Sequence, residues 1–440
     1  MNISVIGLGK LGLCTAACFA SAGHVVYGFD LNDYFRNELK SRRNPIEETG
    51  LTELLESAWE TLHIVDSYEA ALQHSDITLI IVPTPSLPDG RFTNDYLVNV
   101  LEGMAPALRA KNGFHIVDVV STVMPGSCDA ILKPLLEKAT GKCCGTDFGL
   151  VYNPEFIALG SVIRNFLNPD MVLIGASDER SGSVVRELYA STCRTKPAMA
   201  VMSLVNAEIT KISLNCYVTM KISYANGLAA ICEQVPGADV DVITAAIGAD
   251  SRVGSKCLKG GLGFGGPCFP RDNLAFQSFA EEFGAEALLG KAVVAVNNSI
   301  PERLYNRIAG HCAPPAKVAL LGLSYKAETH IIEESHSIML ARALVAAGYH
   351  VSMHDPKALD AVSEQFGDKV TCLADPYECL TGSAAIALLT DWPEYGLLDW
   401  LRISKIVDAG TLVLDSWRLV KDKDMSSFAY APVGVGLQKN

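Results

Sequence analysis

Cys268 lies in the stretch GGLGFGGPCFPRD, residues 260–272, which holds five glycines and two prolines. Glycine costs backbone entropy in a helix or strand and proline removes a hydrogen-bond donor, so the composition predicts a loop. Such a loop lets a ligand approach the main chain and can present the thiol as a nucleophile. The alternative is that Cys268 is a small buried hydrophobic residue, as many cysteines outside disulfides are.

A long helix predicted for residues 203–234 carries three polar side chains on one face. Glu208, Lys211 and Asn215 are spaced i, i+3 and i+7, so they project from the same side. A lysine and an amide on that side could line a site. The alternative is a surface ion pair between Glu208 and Lys211, which contributes little to stability and nothing to function.

Three cations, Arg252, Lys256 and Lys259, precede the glycine loop. Basic side chains beside a glycine-rich loop can clamp a pyrophosphate. An ordinary solvated basic face is the alternative.

The first thirty residues contain a dinucleotide-binding pattern. An apolar strand is followed by GLGKLG, with Gly7, Gly9 and Gly12, and a second strand ends at Asp30. We expect the small-residue helix between them over residues 15–22. The glycines let a pyrophosphate reach the helix N-terminus, and Asp30 can accept hydrogen bonds from ribose hydroxyls while repelling a 2′-phosphate. The pattern therefore predicts NAD rather than NADP; the alternative is a Rossmann fold that no longer binds a nucleotide.

Further candidates follow predicted strands. Pro83 and Thr84 break a buried run, Thr122 lies in STVMPG after the run 115–120, and Glu155 lies in NPEF after the run 150–152. Open α/β proteins place ligands at the carboxyl ends of parallel strands. Thr122 could offer a hydroxyl or could cap a helix, and Glu155 could be a base for water or a helix-start residue.

The composition limits the functional class. The chain has 440 residues and a net charge of −13, which argues against binding nucleic acid or an anionic membrane through bulk electrostatics. An acidic ligand then needs a local basic pocket. The thirteen cysteines show no metal-like CxxC repeat and no signal peptide is recognised, so we expect a cytoplasmic protein without a metal site. No apolar run reaches the eighteen residues of a membrane helix.

The opening pattern returns after a proline-containing linker at 311–315. A strand over 318–321 is followed by Gly322, a helix, a strand and Asp355, but GxGxxG is missing, so this region should not bind a dinucleotide in the same way. Strand-like runs at 385–389, 406–408 and 412–414 would complete a smaller sheet. Lys326 and Arg418 follow its first and last strands.

These patterns predict an α/β protein with two Rossmann-like, doubly wound domains joined by a long central helix. We expect a first domain over residues 1–197, a central helical region with the cysteine loop over 198–310, and a C-terminal domain over 311–440.

Taken together, the motifs resemble those of the UDP-glucose/GDP-mannose dehydrogenase family over essentially the whole chain. The motifs that carry the resemblance are GLGKLG with Asp30, STVMPG, NPEF, the 208–211 helix segment EITK with Asn215, the cysteine loop, GLSYK and DSWR.

The resemblance implies an NAD-dependent oxidation of a nucleotide-sugar alcohol to a carboxylate. In it, Cys268 is the nucleophile, Lys211 and Asn215 stabilise oxyanions, Asp272 positions water or a proton relay, Glu155 is the hydrolytic base and Thr122 supports a bound water. The resemblance further implies two contact sets. The cofactor-binding residues are Gly7, Gly9, Lys10, Leu11, Gly12, Asp30, Pro83, Thr84 and Thr122. The substrate-binding residues are Phe156, Lys211, Asn215, Leu258, Lys259, Gly265, Lys326, Arg418 and, from a neighbouring subunit, Arg252.

Several positions depart from the family pattern. Leu159 stands where a second acid is usual, Glu333 where an arginine is usual, and Pro267 and Arg271 replace the usual serine and lysine around the cysteine. The stretch 252–259 is similar to the UDP-glucose branch, which favours UDP-glucose as the substrate. The alternatives are another nucleotide sugar or a nucleoside-type alcohol, an enzyme that stops at the aldehyde, and a nucleotide-binding scaffold with a relic site. The family also implies a homodimer formed through the long helix, with larger assemblies possible.

Overall fold

The computed structural model describes residues 1–157 and 160–437. The chain divides into two compact units, Met1–Ser213 and Leu214–Asn440, which are described separately below. In the described residues, no helix is both long and apolar enough to cross a membrane.

The first unit contains eight strands in its described part. They are β1 (Asn2–Ile6), β2 (Val25–Phe29), β3 (Leu62–Ile64), β4 (Ile77–Ile80), β5 (His115–Val119), β6 (Phe148–Tyr152), β7 (Met171–Ala176) and β8 (Ala198–Met202). The helices between them are α1 (Lys10–Ser21), α2 (Asp33–Lys40), α3 (Leu51–Ala58), α4 (Tyr68–Gln73), α5 (Asp95–Ala110), α6 (Lys133–Thr140), α7 (Val162–Leu167) and α8 (Glu179–Thr192), with a π-helical segment at Cys128–Leu132.

These strands form one sheet in the order β3-β2-β1-β4-β5-β6-β7-β8. All neighbours are parallel except β6 and β7. Strands β4 and β5 are buried at every position because helices cover both faces. The order reverses between β1 and β4, which is the switch point where doubly wound sheets bind ligands. The sheet continues past residue 197, since β8 pairs with β7.

The first helix begins earlier than the sequence predicts. We expected it from residue 15, but α1 starts at Lys10, directly after Gly9. The turn between β1 and α1 is therefore only three residues long. Gly12, the last glycine of the GLGKLG motif, already lies in the helix.

The second unit has a smaller sheet. Its strands are β9 (Lys317–Leu321), β10 (His350–His354), β11 (Thr371–Cys372), β12 (Ala385–Leu388), β13 (Leu412–Asp415) and β14 (Ala429–Pro432). The helices, from the one that begins in the first unit onward, are α9 (Leu204–Cys232), α10 (Val240–Ala249), α11 (Phe269–Glu282), α12 (Leu288–Ala309), α13 (His336–Ala346), α14 (Leu359–Phe366), α15 (Pro376–Leu380), α16 (Pro393–Gly396) and α17 (Trp400–Ile403), with a short 3₁₀ turn at Gly367–Lys369.

The smaller sheet runs in the order β11-β10-β9-β12-β13-β14 and is parallel throughout its described strands. One predicted strand is wrong: residues 406–408 form a turn. The Ile406 amide donates to the Ile403 carbonyl at the end of α17, which turns the chain away from the sheet. The sixth strand is β14 instead, a segment that the sequence analysis did not identify.

The two α/β folds share one local device, which confirms the repeat seen in the sequence. Gly7 and Gly322 each have φ +92° after the first strand. The next amide, of Leu8 or Leu323, donates to the acid that ends the second strand, over 2.6 Å to Asp30 and 2.7 Å to Asp355. The fold is thus α/β with two Rossmann-like sheets, and the helix α9 carries the chain from the first unit into the second.

Candidate active site

The turn between β1 and α1 fits a dinucleotide. A Cβ at Gly7 or Gly12 would overlap protein backbone, on the carbonyl oxygens of Ile81 and Gly7 respectively, so these two glycines are required by packing. A Cβ at Gly9 would meet no protein atom within 4 Å. Gly9 therefore leaves its backbone open at the N-terminus of α1, which is where a pyrophosphate would bind.

The side chains around this turn favour an anion. The first turn of α1 has no acidic residue, and Lys10 and Leu11 there are partly exposed. Asp30 accepts the amide of Leu8 through Oδ2 and that of Asn32 through Oδ1, at 2.6 and 2.8 Å. These bonds fix the carboxylate at the end of β2, where it keeps lone pairs for ribose hydroxyls.

The ends of β4 and β5 are tied together by side chains. Thr84 Oγ1 donates to the Thr122 carbonyl at 2.7 Å, and Ser121 Oγ bonds both the amide and the carbonyl of Val82. Pro83 is exposed between them. In the described chain no helix starts at Thr122, because the next helical segment begins at Cys128, so the helix-cap alternative for this threonine is not supported.

Glu208 is not part of a surface ion pair. It is fully buried, and its Oε2 and Oε1 accept the amides of Gly126 and Cys128 at 2.6 and 2.8 Å. Burial raises the pKa of this carboxyl, and the two amides counteract part of that shift. Glu208 therefore anchors the STVMPG loop to α9.

Lys211, one turn further along α9, meets the NPEF segment. Its Nζ donates to the carbonyl of Glu155 at 2.5 Å and lies 4.4 Å from the centroid of the Phe156 ring. Lys211 is 6% exposed. The first unit thus brings Lys211 together with Glu155 and Phe156, which lie more than fifty residues before it in the sequence.

The carboxyl group of Glu155 points towards α8. The hydroxyl of Tyr189 donates to its Oε1 at 2.9 Å. Burial raises the pKa of Glu155 to about 7, although the Tyr189 hydrogen bond and the Lys211 charge act in the opposite direction. A carboxylate with this pKa can act as a general base near neutral pH. Leu159, the residue that stands in place of a second acid, lies outside the described residues.

In the second unit, Cys268 stands at the N-terminus of α11 and is exposed. Asp272, one turn into the helix, is 1% exposed and accepts a hydrogen bond from Asn215 Nδ2 at 2.6 Å. A second bond, from Asn273 Nδ2 to Thr219 Oγ1 at 2.9 Å, lies one turn further along α9 and one residue further along α11. Two side-chain hydrogen bonds therefore join α9 to the first turn of α11, which begins next to the thiol.

Tyr325 packs against the cysteine loop. Burial and, to a smaller extent, the nearby Cys268 raise the pKa of its phenol to about 12. The ring also packs on Gly266, where a Cβ would come within 2.7 Å of a ring carbon.

Two buried asparagines that the sequence analysis missed hold the glycine loop. Asn226 on α9 accepts the Gly261 amide and donates to the Leu262 carbonyl, at 3.0 and 3.1 Å. Asn297 on α12 does the same for both backbone groups of Phe264, at 2.8 and 3.0 Å. The available signal was an amide side chain inside an apolar helical stretch, since such a group must find hydrogen-bond partners when buried.

The loop glycines are required mainly by protein packing. A Cβ at Gly261 would come within 2.8 Å of the Trp417 ring, and one at Gly263 or Gly265 would overlap Asn297 Oδ1 or the Glu334 carbonyl. At these glycines, the space in which a side chain would lie is filled by protein.

The predicted substrate cations differ in their surroundings. Lys259 is exposed with its Nζ 5.4 Å from the Trp417 ring centroid, and Lys326 is half-buried with its Nζ 5.8 Å from the Tyr325 ring centroid. Arg252 is exposed and pairs with Asp250 at 2.7 Å. Leu258 is buried.

Arg418 is buried and all five of its N–H groups bond to protein. Two bonds go to the carboxylate of Asp241, and the others go to the carbonyls of Ser416, Val433 and Gly260. Its evident role in this structure is to tie the start of the glycine loop to the smaller sheet.

Glu333 contacts the loop through its backbone. Its carbonyl accepts the Gly266 amide at 2.9 Å, while its side chain is exposed. The residue type at this position therefore does not alter that contact.

Comparison with known proteins identifies the family. Three family models match, all described as UDP-glucose/GDP-mannose dehydrogenase family: the NAD binding domain over residues 1–193, the central domain over 205–299 and the UDP binding domain over 319–422. The UDP-glucose 6-dehydrogenase AglM of Haloferax volcanii is 35% identical over 403 residues, which are 91% of this chain and 93% of the relative.

Solved structures support the same family assignment. The structure of a UDP-glucose dehydrogenase from Pyrobaculum islandicum superposes with a TM-score of 0.88 at 34% identity, covering 99% of this chain and 98% of that one. The UDP-N-acetyl-mannosamine dehydrogenase Cap5O from Staphylococcus aureus superposes with a TM-score of 0.78 at 25% identity, covering 99% of both chains. The chain belongs to the UDP-glucose/GDP-mannose dehydrogenase family, and it is an NAD-dependent oxidoreductase that acts on a nucleotide sugar.

Proposed function

We propose that this enzyme oxidises the C6 alcohol of UDP-glucose to the carboxylate of UDP-glucuronate through a thioester on Cys268. The observation that carries the proposal is the exposed Cys268 at the N-terminus of α11, one helical turn from Asp272, which is buried and accepts a hydrogen bond from the half-buried Asn215. The partial positive charge at a helix N-terminus stabilises an anion, whether thiolate or alkoxide, at this position.

The reaction balances as two oxidations and one hydrolysis. The alcohol loses a hydride and a proton to become an aldehyde, and the sulfur of Cys268 then bonds to the aldehyde carbon as a thiohemiacetal. Loss of a second hydride and proton gives the thioester. Water attacks the thioester carbon, the carbon–sulfur bond breaks, and the carboxylate and the thiol are released.

NAD, when bound, accepts the hydride in each oxidation. We propose that Gly7, Gly9, Lys10, Leu11, Gly12, Asp30, Pro83, Thr84 and Thr122 hold it. This assignment rests on the open backbone at Gly9 and on the fixed carboxylate of Asp30.

Each chemical step develops negative charge on one oxygen. We assign stabilisation of that charge to the ammonium of Lys211 and the amide of Asn215, because fixed donors are worth more than mobile water in such states. Asp272 holds Asn215 and positions water, Thr122 supports a bound water, and Glu155 removes the proton from the hydrolytic water. A pKa of about 7 suits Glu155 for that role.

The substrate residues that we propose are Phe156, Lys211, Asn215, Leu258, Lys259, Gly265, Lys326, Arg418 and, from a second subunit, Arg252. Arg418 would reach the nucleotide only by exchanging one of its five protein hydrogen bonds. Lys259 and Lys326 are better placed for phosphate oxygens, since they are exposed and half-buried respectively.

UDP-glucose is favoured over other nucleotide sugars because the relative and the solved structure with 35% and 34% identity are named for it. The alternative substrate is another nucleotide sugar or a nucleoside-type alcohol, because the chain also resembles Cap5O at 25% identity. A reaction that stops at the aldehyde is the other alternative.

We further propose a homodimer formed through α9. Four exposed apolar side chains, Leu214, Tyr217, Tyr224 and Ile231, follow one another at intervals of three and seven residues on this helix, so they form one stripe. Larger assemblies, a cytoplasmic location and the three-part division at residues 197 and 310 stay predictions.

A coupled count of products tests the function. We expect two NADH for each UDP-glucose consumed, measured by absorbance and by chromatography of the sugar nucleotides. One NADH per sugar would overturn the four-electron reaction, and no NADH with UDP-glucose but activity on another nucleotide sugar would replace the substrate.

The first variant prediction is that Cys268→Ser loses net acid formation by at least about a thousandfold, because a serine hydroxyl lacks the nucleophilicity of the thiol. Cys257→Ser, at another exposed cysteine, is the matched control and should keep wild-type turnover. Full acid formation by Cys268→Ser would remove the thioester from the mechanism.

A further inference from the structure

Two buried polar side chains beside Glu155 have no part in the reaction described so far. Asp118 on β5 is fully buried, and within the described residues neither of its carboxyl oxygens has a hydrogen-bond partner. Tyr189 on α8 is 2% exposed, and its hydroxyl donates a hydrogen bond to Glu155. Buried polar groups of this kind cost free energy, so their position next to a candidate base calls for an explanation.

The phenol of Tyr189 is fixed by its packing. Its ring lies edge-on to Phe19 at 5.7 Å between centroids and at 5.7 Å from Phe166. All three rings belong to the core of the first sheet. These ring contacts hold the phenol in place, and its hydroxyl donates to Glu155 Oε1 at 2.9 Å.

Asp118 is held as a neutral acid. Burial raises its pKa far above the usual range, and the nearby Glu155 adds to this. An ionised carboxylate without partners would be much more costly than a protonated one. A neutral Asp118 places no negative charge next to Glu155.

The titratable groups around Glu155 in the described part of the chain can be named element by element. They are Cys18 on α1, Asp118 on β5, Tyr189 and the following Cys193 at the end of α8, and Lys211 on α9. Burial raises the pKa of both thiols, that of Cys193 to about 11, so they stay neutral. The Tyr189 hydroxyl and the Lys211 ammonium are then the groups that favour ionised Glu155.

We propose that Tyr189 is a positioning residue for Glu155: its hydroxyl orients the carboxylate and sets the pH range in which that group works as a base, while Asp118 remains protonated beside it. The inference rests on the proposed function, in which Glu155 is the hydrolytic base. It assigns a role in proton transfer to α8, a helix that carries no other candidate site residue.

Tyr189→Phe removes only the hydroxyl and keeps the ring in its packing. The hydroxyl stabilises the ionised form of Glu155, so its loss raises the pKa of that group. The low-pH limb of the pH–rate profile for acid formation should therefore shift to higher pH, by about one unit. The first oxidation, followed as the burst of NADH at pH 8, should change less than about twofold. Tyr349→Phe is the matched control, because Tyr349 is also buried and donates to a protein oxygen, the carbonyl of Cys312, but is remote from Glu155 in the sequence. This variant should keep the wild-type pH–rate profile.

Asp118→Asn tests the second half of the proposal. An amide has nearly the same shape as the protonated acid and no charge, so the limb should stay within about 0.3 pH units of wild type. A shift of the limb to lower pH in Asp118→Asn would mean that Asp118 is ionised and would overturn its assignment. An unchanged limb in Tyr189→Phe, together with an unchanged titration of the Glu155 carboxyl, would overturn the role of Tyr189.

A direct titration separates this inference from the proposed function. Infrared difference spectra between pH 5 and 9, without substrate, report the ionisation of Glu155, with Glu155→Gln identifying its band. If the band titrates at higher pH in Tyr189→Phe but the kinetic limb does not move, Tyr189 positions Glu155 and the base assignment in the proposed function is at fault. If the band does not move, the inference itself fails.

Discussion

Lys211 donates to the backbone carbonyl of Glu155 at 2.5 Å. This bond orients the ammonium that we propose as a stabiliser of the developing oxyanion. At the same time the charge lowers the pKa of Glu155 only partly, because burial dominates. At the scale of single residues, the first unit therefore holds the proposed oxyanion stabiliser, Lys211, next to the proposed base, Glu155.

The raised pKa of Glu155 predicts a pH-dependent stability. The pKa rises from 4.5 to about 7 on folding, so the folded state favours the protonated form. Its contribution is fully present below pH 4.5 and is lost as the pH rises through 7. Glu155→Gln removes the titration and should raise the free energy of unfolding at pH 8 by on the order of 2 kcal/mol, with little change at pH 4.5.

Urea unfolding followed by circular dichroism at the two pH values measures this difference. The exposed Glu302→Gln on α12 is the control and should behave like wild type at both. An equal effect of Glu155→Gln at pH 4.5 and pH 8 would contradict the assigned pKa shift.

At the scale of elements, the β1–α1 turn uses its three glycines for different purposes. Gly7 and Gly12 are small because backbone presses against them, whereas Gly9 faces open space. The glycine loop before α11 is held differently, by Asn226 and Asn297, which satisfy its backbone groups from two helices. The β1–α1 turn is therefore shaped by backbone packing around the open space at Gly9, whereas the glycine loop is shaped by side-chain hydrogen bonds.

The turn makes a matched pair of variants available. Gly12→Ala overlaps the Gly7 carbonyl and should lower the free energy of unfolding by about 2–3 kcal/mol. Gly9→Ala meets no protein atom and has φ −63°, so stability should change by less than about 0.5 kcal/mol while the Kd for NAD rises about tenfold or more.

Chemical unfolding and calorimetric titration with NAD check both halves. A Gly9→Ala variant with wild-type affinity for NAD would show that the open space at the start of α1 does not take the cofactor.

At the scale of the whole molecule, both sheets contain the same local arrangement, an acid after the second strand that accepts the amide of the second residue after the first strand. In the second sheet this acid is Asp355, which also accepts the amides of Ser324, Lys357 and Ala358 and is only 2% exposed. The same strand–turn–strand frame therefore offers an acceptor to a ligand in the first unit and a closed, buried acid in the second.

The exposed stripe on α9 predicts the oligomeric state. Ile231→Glu places a charge among apolar side chains and should convert a dimer to a monomer, or raise the dimer Kd by at least about a hundredfold. Leu401→Glu is the control, because Leu401 is 70% exposed on α17, outside the stripe, and should leave the mass unchanged. Light scattering after size-exclusion chromatography measures both, and a dimeric Ile231→Glu variant would rule out the stripe as the interface.

The sequence alone determined the parts whose physics is local. A turn with positive φ and close backbone packing needs glycine, and an acid at the end of β2 can fix it, so GLGKLG with Asp30 was sufficient to predict the nucleotide fold. The long helix was predicted to within two residues at each end, because its apolar and polar periodicity continues unbroken. The family followed from motifs in order.

Only the tertiary structure decided where long-range partners lie. Glu208 bonds amides eighty and more residues away, and Asn297 holds a loop thirty-three residues upstream. Tyr189 reaches Glu155, and the five donors of Arg418 are all used within the protein. No local pattern encodes these bonds, because a buried side chain takes its partners from whatever elements the fold packs against it.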